Sequence, residues 1–116
     1  APAFPLSTVQ TEFSVHHDVV RDRFVQVQSV GFGPTPIGLR WSDAPEGPWS
    51  TLTNVFTPPE ATRPAADGVF IYAGKAHPEL TGADLIVTYA TNTSDFNLLV
   101  HDTTLYYPRF VRLTMQ

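Results

Sequence analysis

Along this chain, apolar residues alternate with polar ones far more often than they recur at helical spacing. In "EFSVHHD" Phe13 and Val15 alternate with polar positions, and in "RFVQVQSV" Val25 and Val27 are set against Gln26 and Gln28, the period of a half-buried strand. Glycine and proline punctuate the next segments: "GFGPTP" at 31–36 predicts a loop, "IGLRWSD" a returning strand and "APEGPWS" a tight connection. "TNVFTPP" predicts a fourth strand, closed by prolines that cannot donate to a ladder. After a polar linker, "EATRPAADG", the plan repeats with strands over "VFIYAGKAH", "LIVTYATN", "NLLVHD" and "LYYPRFVRLTM" and a turn at "PELTGAD". The pattern predicts an all-β chain of two four-stranded antiparallel meanders, 1–64 and 65–116.

The two halves are related without gaps. A shift of 61 residues puts His16 on His77, Asp18 on Glu79, Phe24 on Leu85, Val25 on Ile86 and Val27 on Thr88. Tandem four-stranded meanders are the sign of propeller blades, and a propeller needs about 4–8 of them to close. Two blades alone would expose large apolar sheet faces. The expectation is therefore a part of a larger propeller, completed by another chain or by a preceding segment; a self-contained β-sandwich is the alternative architecture.

Composition bounds the function. The 116 residues are 42% hydrophobic and 12% aromatic, enough to bury a core. The net charge of -4 comes from charges spread singly, without the basic stripe that nucleic acid requires. No apolar run approaches the roughly 20 residues that span a bilayer, and "APAFPLSTVQ" lacks the regions of a signal peptide, so an exported form would already be processed. The absence of cysteine removes disulfides, thiolate metal sites and cysteine nucleophiles but leaves the compartment open. "NTS" at 92–94 matches a glycosylation acceptor, a pattern short enough to arise by chance.

The runs "TEFSVHHD", "RFVQVQ", "LRWSDAPEGPWS", "AGKAHPEL", "LIVTYATN" and "LYYPRFVRL", over residues 10–113, resemble the C-terminal portion of secreted proteins with a domain-of-unknown-function 4185-type β-propeller. That group includes microbial endo-D-arabinanase-like glycoside hydrolases. The resemblance rests chiefly on "GPWS", "KAHPEL" and "YYPRF" in that order, and implies a five-bladed ring of which this chain supplies the last two blades. It implies export and a polysaccharide or oligosaccharide ligand, and gives no catalytic assignment, because essential carboxylates of such enzymes commonly lie on earlier blades.

Glycoside hydrolysis needs two carboxyl groups, about 5–5.5 Å apart for retention and about 6.5–9.5 Å for inversion. Asp18 and Glu79, at matching places in the two halves, are the catalytic candidates; a turn role, bonding their own backbone, is the alternative. His16 and His77 are candidate sugar-binding donors, acid/base groups, ligands of a metal shared with Asp18 and Glu79, or structural hydrogen-bonders, the metal being the least expected. Lys75, the only lysine, Arg40 and Arg109 are candidate cations for sugar hydroxyls or a carboxylate, with a structural ion pair as the alternative for Arg109. Tyr89 is a candidate stacking surface beside Trp41, Trp49, Tyr106 and Tyr107, most of which are expected in the core. No cofactor or metal site is expected, and phosphate loops, nucleophile elbows and zinc helices have no counterpart.

Overall fold

The structure is a computed structural model that describes residues 9–80 and 84–115. Among the described residues seven strands form two antiparallel sheets. The first is the meander β1 (Phe13–Asp18), β2 (Arg23–Ser29), β3 (Ile37–Ser42), β4 (Thr53–Phe56). The second is β5 (Val69–Ala76), β6 (Leu85–Thr93), β7 (Arg109–Leu113). The one α-helix among the described residues is α1 (Phe96–His101), far too short to cross a membrane.

The second sheet departs from the expected four strands at "NLLVHD", which is α1. Asp95 decides this. Its carboxylate accepts a hydrogen bond from the Leu98 amide, satisfying an N-terminal donor of the helix. β7 begins only after Pro108, following Tyr106 at φ 64°.

The internal repeat is a repeat of pairing. His16 lies opposite Val25 in the first hairpin. In the second, Ala76 lies opposite Val87 and the His77 amide donates to the Ile86 carbonyl at 2.8 Å. The third strands agree as well: Leu39 faces Val27 and Phe110 faces Thr88.

Yet the two copies turn unlike faces to the shared core. Val25, Val27, Ile37 and Leu39 fill it from the first sheet and Ile71, Ala76, Leu85, Val87 and Tyr89 from the second. Ile86 and Thr88, the counterparts of Val25 and Val27, alternate with buried Leu85, Val87 and Tyr89 and so lie on the far face of β6. The sheets touch backbone to side chain where the Ala76 amide donates to the Ser14 hydroxyl at 2.8 Å and the Gly74 amide to Ser29 at 3.2 Å.

The far faces are not the broad apolar surfaces expected of a two-meander piece. On the first sheet, Gln26, Gln28 and Arg40 are buried and bonded in series. Arg40 Nε donates to Gln26 Oε1 (3.0 Å), and Gln26 Nε2 to Gln28 Oε1 (2.8 Å). Gln28 Nε2 continues to the Ser29 carbonyl at 3.1 Å, so buried amides that would each cost several kcal/mol unpaired are satisfied. On the second sheet the far face mixes Ile86 and Phe110 with Lys75, Thr88 and Arg112.

Three connections, 30–36, 57–68 and 94–108, gather at one end of the strands. The Ile71 amide donates to Gly33 and the Ser94 amide to Gly68. Arg63 ties two connections together, its Nε on Asp67 (3.0 Å) and its Nη1 on Asp102 (2.8 Å). Hydrogen bonds from Thr104 and then from Arg63 hold the Asp102 carboxyl down at about 2. A carboxyl lowered in the folded state stabilises above its ordinary pKa, and that contribution disappears as pH falls. Chemical unfolding followed from about pH 4.5 to about pH 2 should therefore show stability falling, and Asp102→Asn should flatten that part of the profile. An unchanged slope in the variant would remove this clamp from the acid response.

Candidate functional site

Five of the eight candidate residues come together at the other end of the strands, where the β1–β2 turn meets the exit from β5. His16 sits on β1, half-buried, with a buried Nδ1 that has no hydrogen-bond partner among the described residues. Burial lowers its pKa, against the opposing pull of Asp18 and Glu79, so the ring is neutral at pH 7. Glu79 and His16 feel each other's charge, so the two halves of the repeat converge on one place. A cavity of about 160 Å³ opens there, lined by His16, Asp18, Arg21, Pro78 and Asp84 among others.

Asp18 is committed to its turn. Its carboxylate accepts the amides of Val20 (3.0 Å) and Arg21 (3.2 Å) and the Arg21 guanidinium (3.0 Å). Burial works to raise its pKa, but these bonds outweigh it and hold the carboxyl below its ordinary range. The guanidinium also donates to the Met115 carbonyl at 2.9 Å, anchoring the turn to the chain after β7. An ionised, threefold-bonded carboxylate cannot serve as a general acid at neutral pH.

Glu79 is the more exposed of the two carboxylates. It lies in a 3-10 turn, Pro78–Leu80, with its side chain 64% exposed. A bond from its own backbone amide and then one with His77 lower its pKa. The His77 ring is fixed on both sides, Nδ1 on Glu79 Oε1 (3.1 Å) and Nε2 on the Thr88 hydroxyl (2.7 Å). Lys75 is exposed on the same far face, opposite Thr88. Thr88 thus links the two positions that alternate along β5. The arrangement offers an accessible carboxylate, an oriented imidazole and an ammonium within one short segment, groups suited to donating and accepting hydrogen bonds with hydroxyls.

The other three candidates lie elsewhere. Arg40 belongs to the buried amide network on the far face of the first sheet. Tyr89 is a core residue, 3% exposed, with its hydroxyl donating to Glu60 Oε2 at 2.8 Å. Burial and then the Glu60 carboxylate push its pKa well above the ordinary tyrosine value. Arg109 pairs with Tyr89 across the ladder, donates from Nη2 to the Thr104 carbonyl and sits 3.5 Å from Glu60 Oε1. Tyr89, Arg109 and Glu60 therefore form an internal cluster, and the structural ion pair is what the geometry supports for Arg109.

Glu60 and Arg63 lie in a linker whose sequence shows only its polarity. The available signal was Tyr89 itself, since a buried tyrosine hydroxyl needs a partner. Among the described residues no group of three or more histidine, aspartate or glutamate side chains could hold a metal ion. Comparison with protein families, curated proteins and solved structures finds no match to this chain.

Proposed function

We propose that this chain forms two blades of a larger β-propeller and serves a carbohydrate-active protein by binding a saccharide near His77 and Glu79. The supporting observation is the meeting of unlike faces. Two units related by a two-fold axis would bring like faces together, whereas head-to-tail units leave at each end a face for the next unit, until rotation closes a ring. Here Val25 and Val27 look into the core while their counterparts Ile86 and Thr88 look out, the head-to-tail arrangement. The histidine, carboxylate and lysine of β5 and its following turn supply hydroxyl-binding groups, and the resemblance in "KAHPEL" and "YYPRF" points to glycoside hydrolases.

With Asp18 bonded into its turn, Glu79 is the accessible carboxylate of the pair. Hydrolysis by the pair mechanism then draws its second carboxyl group from outside this chain. That same commitment of Asp18, together with the satisfied network of Gln26, Gln28 and Arg40 on the first sheet, favours a second reading: a non-catalytic binding or assembly unit of sandwich form.

Native mass spectrometry separates the architectures. The propeller reading predicts a particle heavier than the 12.8 kDa of this chain; a soluble, stable monomer of that mass overturns it. For the site, amide resonances of His77 and Glu79 should move on titration with oligosaccharides, and Glu79→Gln should weaken that response about tenfold, the worth of one charge-assisted hydrogen bond. Resonances and turnover that ignore the substitution take Glu79 out of the site.

A further inference from the structure

We infer that the end of the molecule carrying the long connections holds a separate cleft for a neutral oligosaccharide, built on Phe32 and Phe70. The cleft rests on the carbohydrate reading above but lies at the opposite end of the strands from Glu79. Phe32 is 82% exposed, an expensive place for a phenyl ring unless something covers it. It is nevertheless held firmly. The Gly33 carbonyl accepts the Ile71 amide at 2.9 Å, the Val30 amide donates to the Pro36 carbonyl at 2.9 Å, and the Gly31 amide donates to the buried Thr35 hydroxyl at 2.8 Å. The ring stacks on Phe70, centroids 5.4 Å apart at 18°, and Phe70 continues to Tyr72 at 5.7 Å.

This aromatic ridge divides two hollows. One, of about 490 Å³, is lined by Phe32, Pro34, Arg63, Pro64 and Ser94 among others. The other, of about 130 Å³, is lined by Gln10, Glu12 and Ser29 among others. The larger is of the size that small-molecule sites have, apolar walls with a few polar groups. Flat phenyl faces suit the C–H faces of sugar rings, and the polar rim suits their hydroxyls. Two hollows about one ridge fit a chain of sugars rather than a single one.

Charge selects among saccharides. Glu60 and Arg63 line the larger hollow and Glu12 the smaller. Asp67 and Asp102 hold Arg63, and Arg109 faces Glu60. Carboxylates outnumber cations, which disfavours phosphorylated or uronic ligands. The walls are also preformed, because Arg63 locks two of the connections and the Gly33 bond fixes the third, so little ordering is left to oppose binding.

The test is a titration of the intact chain with cello-, xylo- and arabino-oligosaccharides, followed by amide NMR and calorimetry. At least one should shift resonances of 31–33 and 68–70. Phe32→Ala should weaken that response about tenfold, Phe32→Tyr should retain it, and Glu79→Gln should leave it unchanged. Phe32→Ala should fold normally, its ring being exposed, and an unchanged thermal midpoint checks this. Shifts confined to His77 and Glu79, or binding indifferent to Phe32→Ala, overturn the cleft and leave the carbohydrate reading standing. Tighter binding of oligogalacturonate than of every neutral oligosaccharide also overturns it. No response from any sugar overturns the carbohydrate reading itself.

Discussion

Gly74→Val should lower the stability of this protein by about 3 kcal/mol, the range of severe overpacking, or roughly 15 °C in thermal midpoint for a chain of this size. A Cβ at Gly74 would stand 2.7 Å from the Ser29 amide nitrogen and 2.9 Å from the Gln28 carbonyl carbon, with Ile37 Cδ1 at 3.1 Å. The first two are backbone atoms of a central strand and cannot swing aside as a side chain tip could. The added bulk must therefore push β5 off β2, which also breaks the bond from the Gly74 amide to Ser29 and opens the core between Val27 and Ile71. Guanidinium or thermal unfolding of the variant checks this. A midpoint within a few degrees of the parent would mean that the sheets do not approach here as described.

Alanine at matching positions of the repeat should give unequal results. Val25→Ala removes two methyl groups from a side chain that is fully buried between the sheets, at a cost of about 2 kcal/mol from lost transfer energy and the cavity left behind. Ile86→Ala, at the corresponding place in the second hairpin, removes more atoms from the partly covered far face and should cost less than about 1 kcal/mol. The larger deletion should thus be the milder one. Equal losses, or a greater loss at Ile86, would mean that like faces meet or that the far face of the second sheet is covered. Urea midpoints of the two variants decide it.

The strands were legible because a strand's period of two is imposed by geometry on every half-buried sheet. "EFSVHHD", "IGLRWSD", "TNVF" and "LIVTYATN" each form a strand close to their expected limits. The same alternation misleads at Gln26 and Gln28: a polar residue opposite an apolar one reads as facing water, and the pattern cannot distinguish water from a buried chain of amides. "NLLVHD" departs from its expected strand because an apolar run too short for periodicity is ambiguous, and a single capping aspartate tips it to helix.

The site was legible as far as the repeat reached. His16, Asp18, His77 and Glu79 stand together because the shift that aligns the histidines in sequence also aligns their strand pairing, His16 with Val25 and His77 with Ile86. Arg40, Tyr89 and Arg109 scatter because residue type does not record which face of a sheet a position will occupy. Asp18 and Glu79 align in sequence but differ in exposure: the turn after β1 holds the Asp18 carboxylate on Arg21, whereas the Glu79 side chain stands 64% exposed beside His77.

The connections 30–36 and 94–108 differ greatly in length, and the longer contains α1, yet β2 with β3 and β6 with β7 keep equivalent pairings. Lengthening there has been absorbed without resetting the ladder. Such a site is a natural point for grafting foreign peptide, since the strands hold their frame whichever connection joins them.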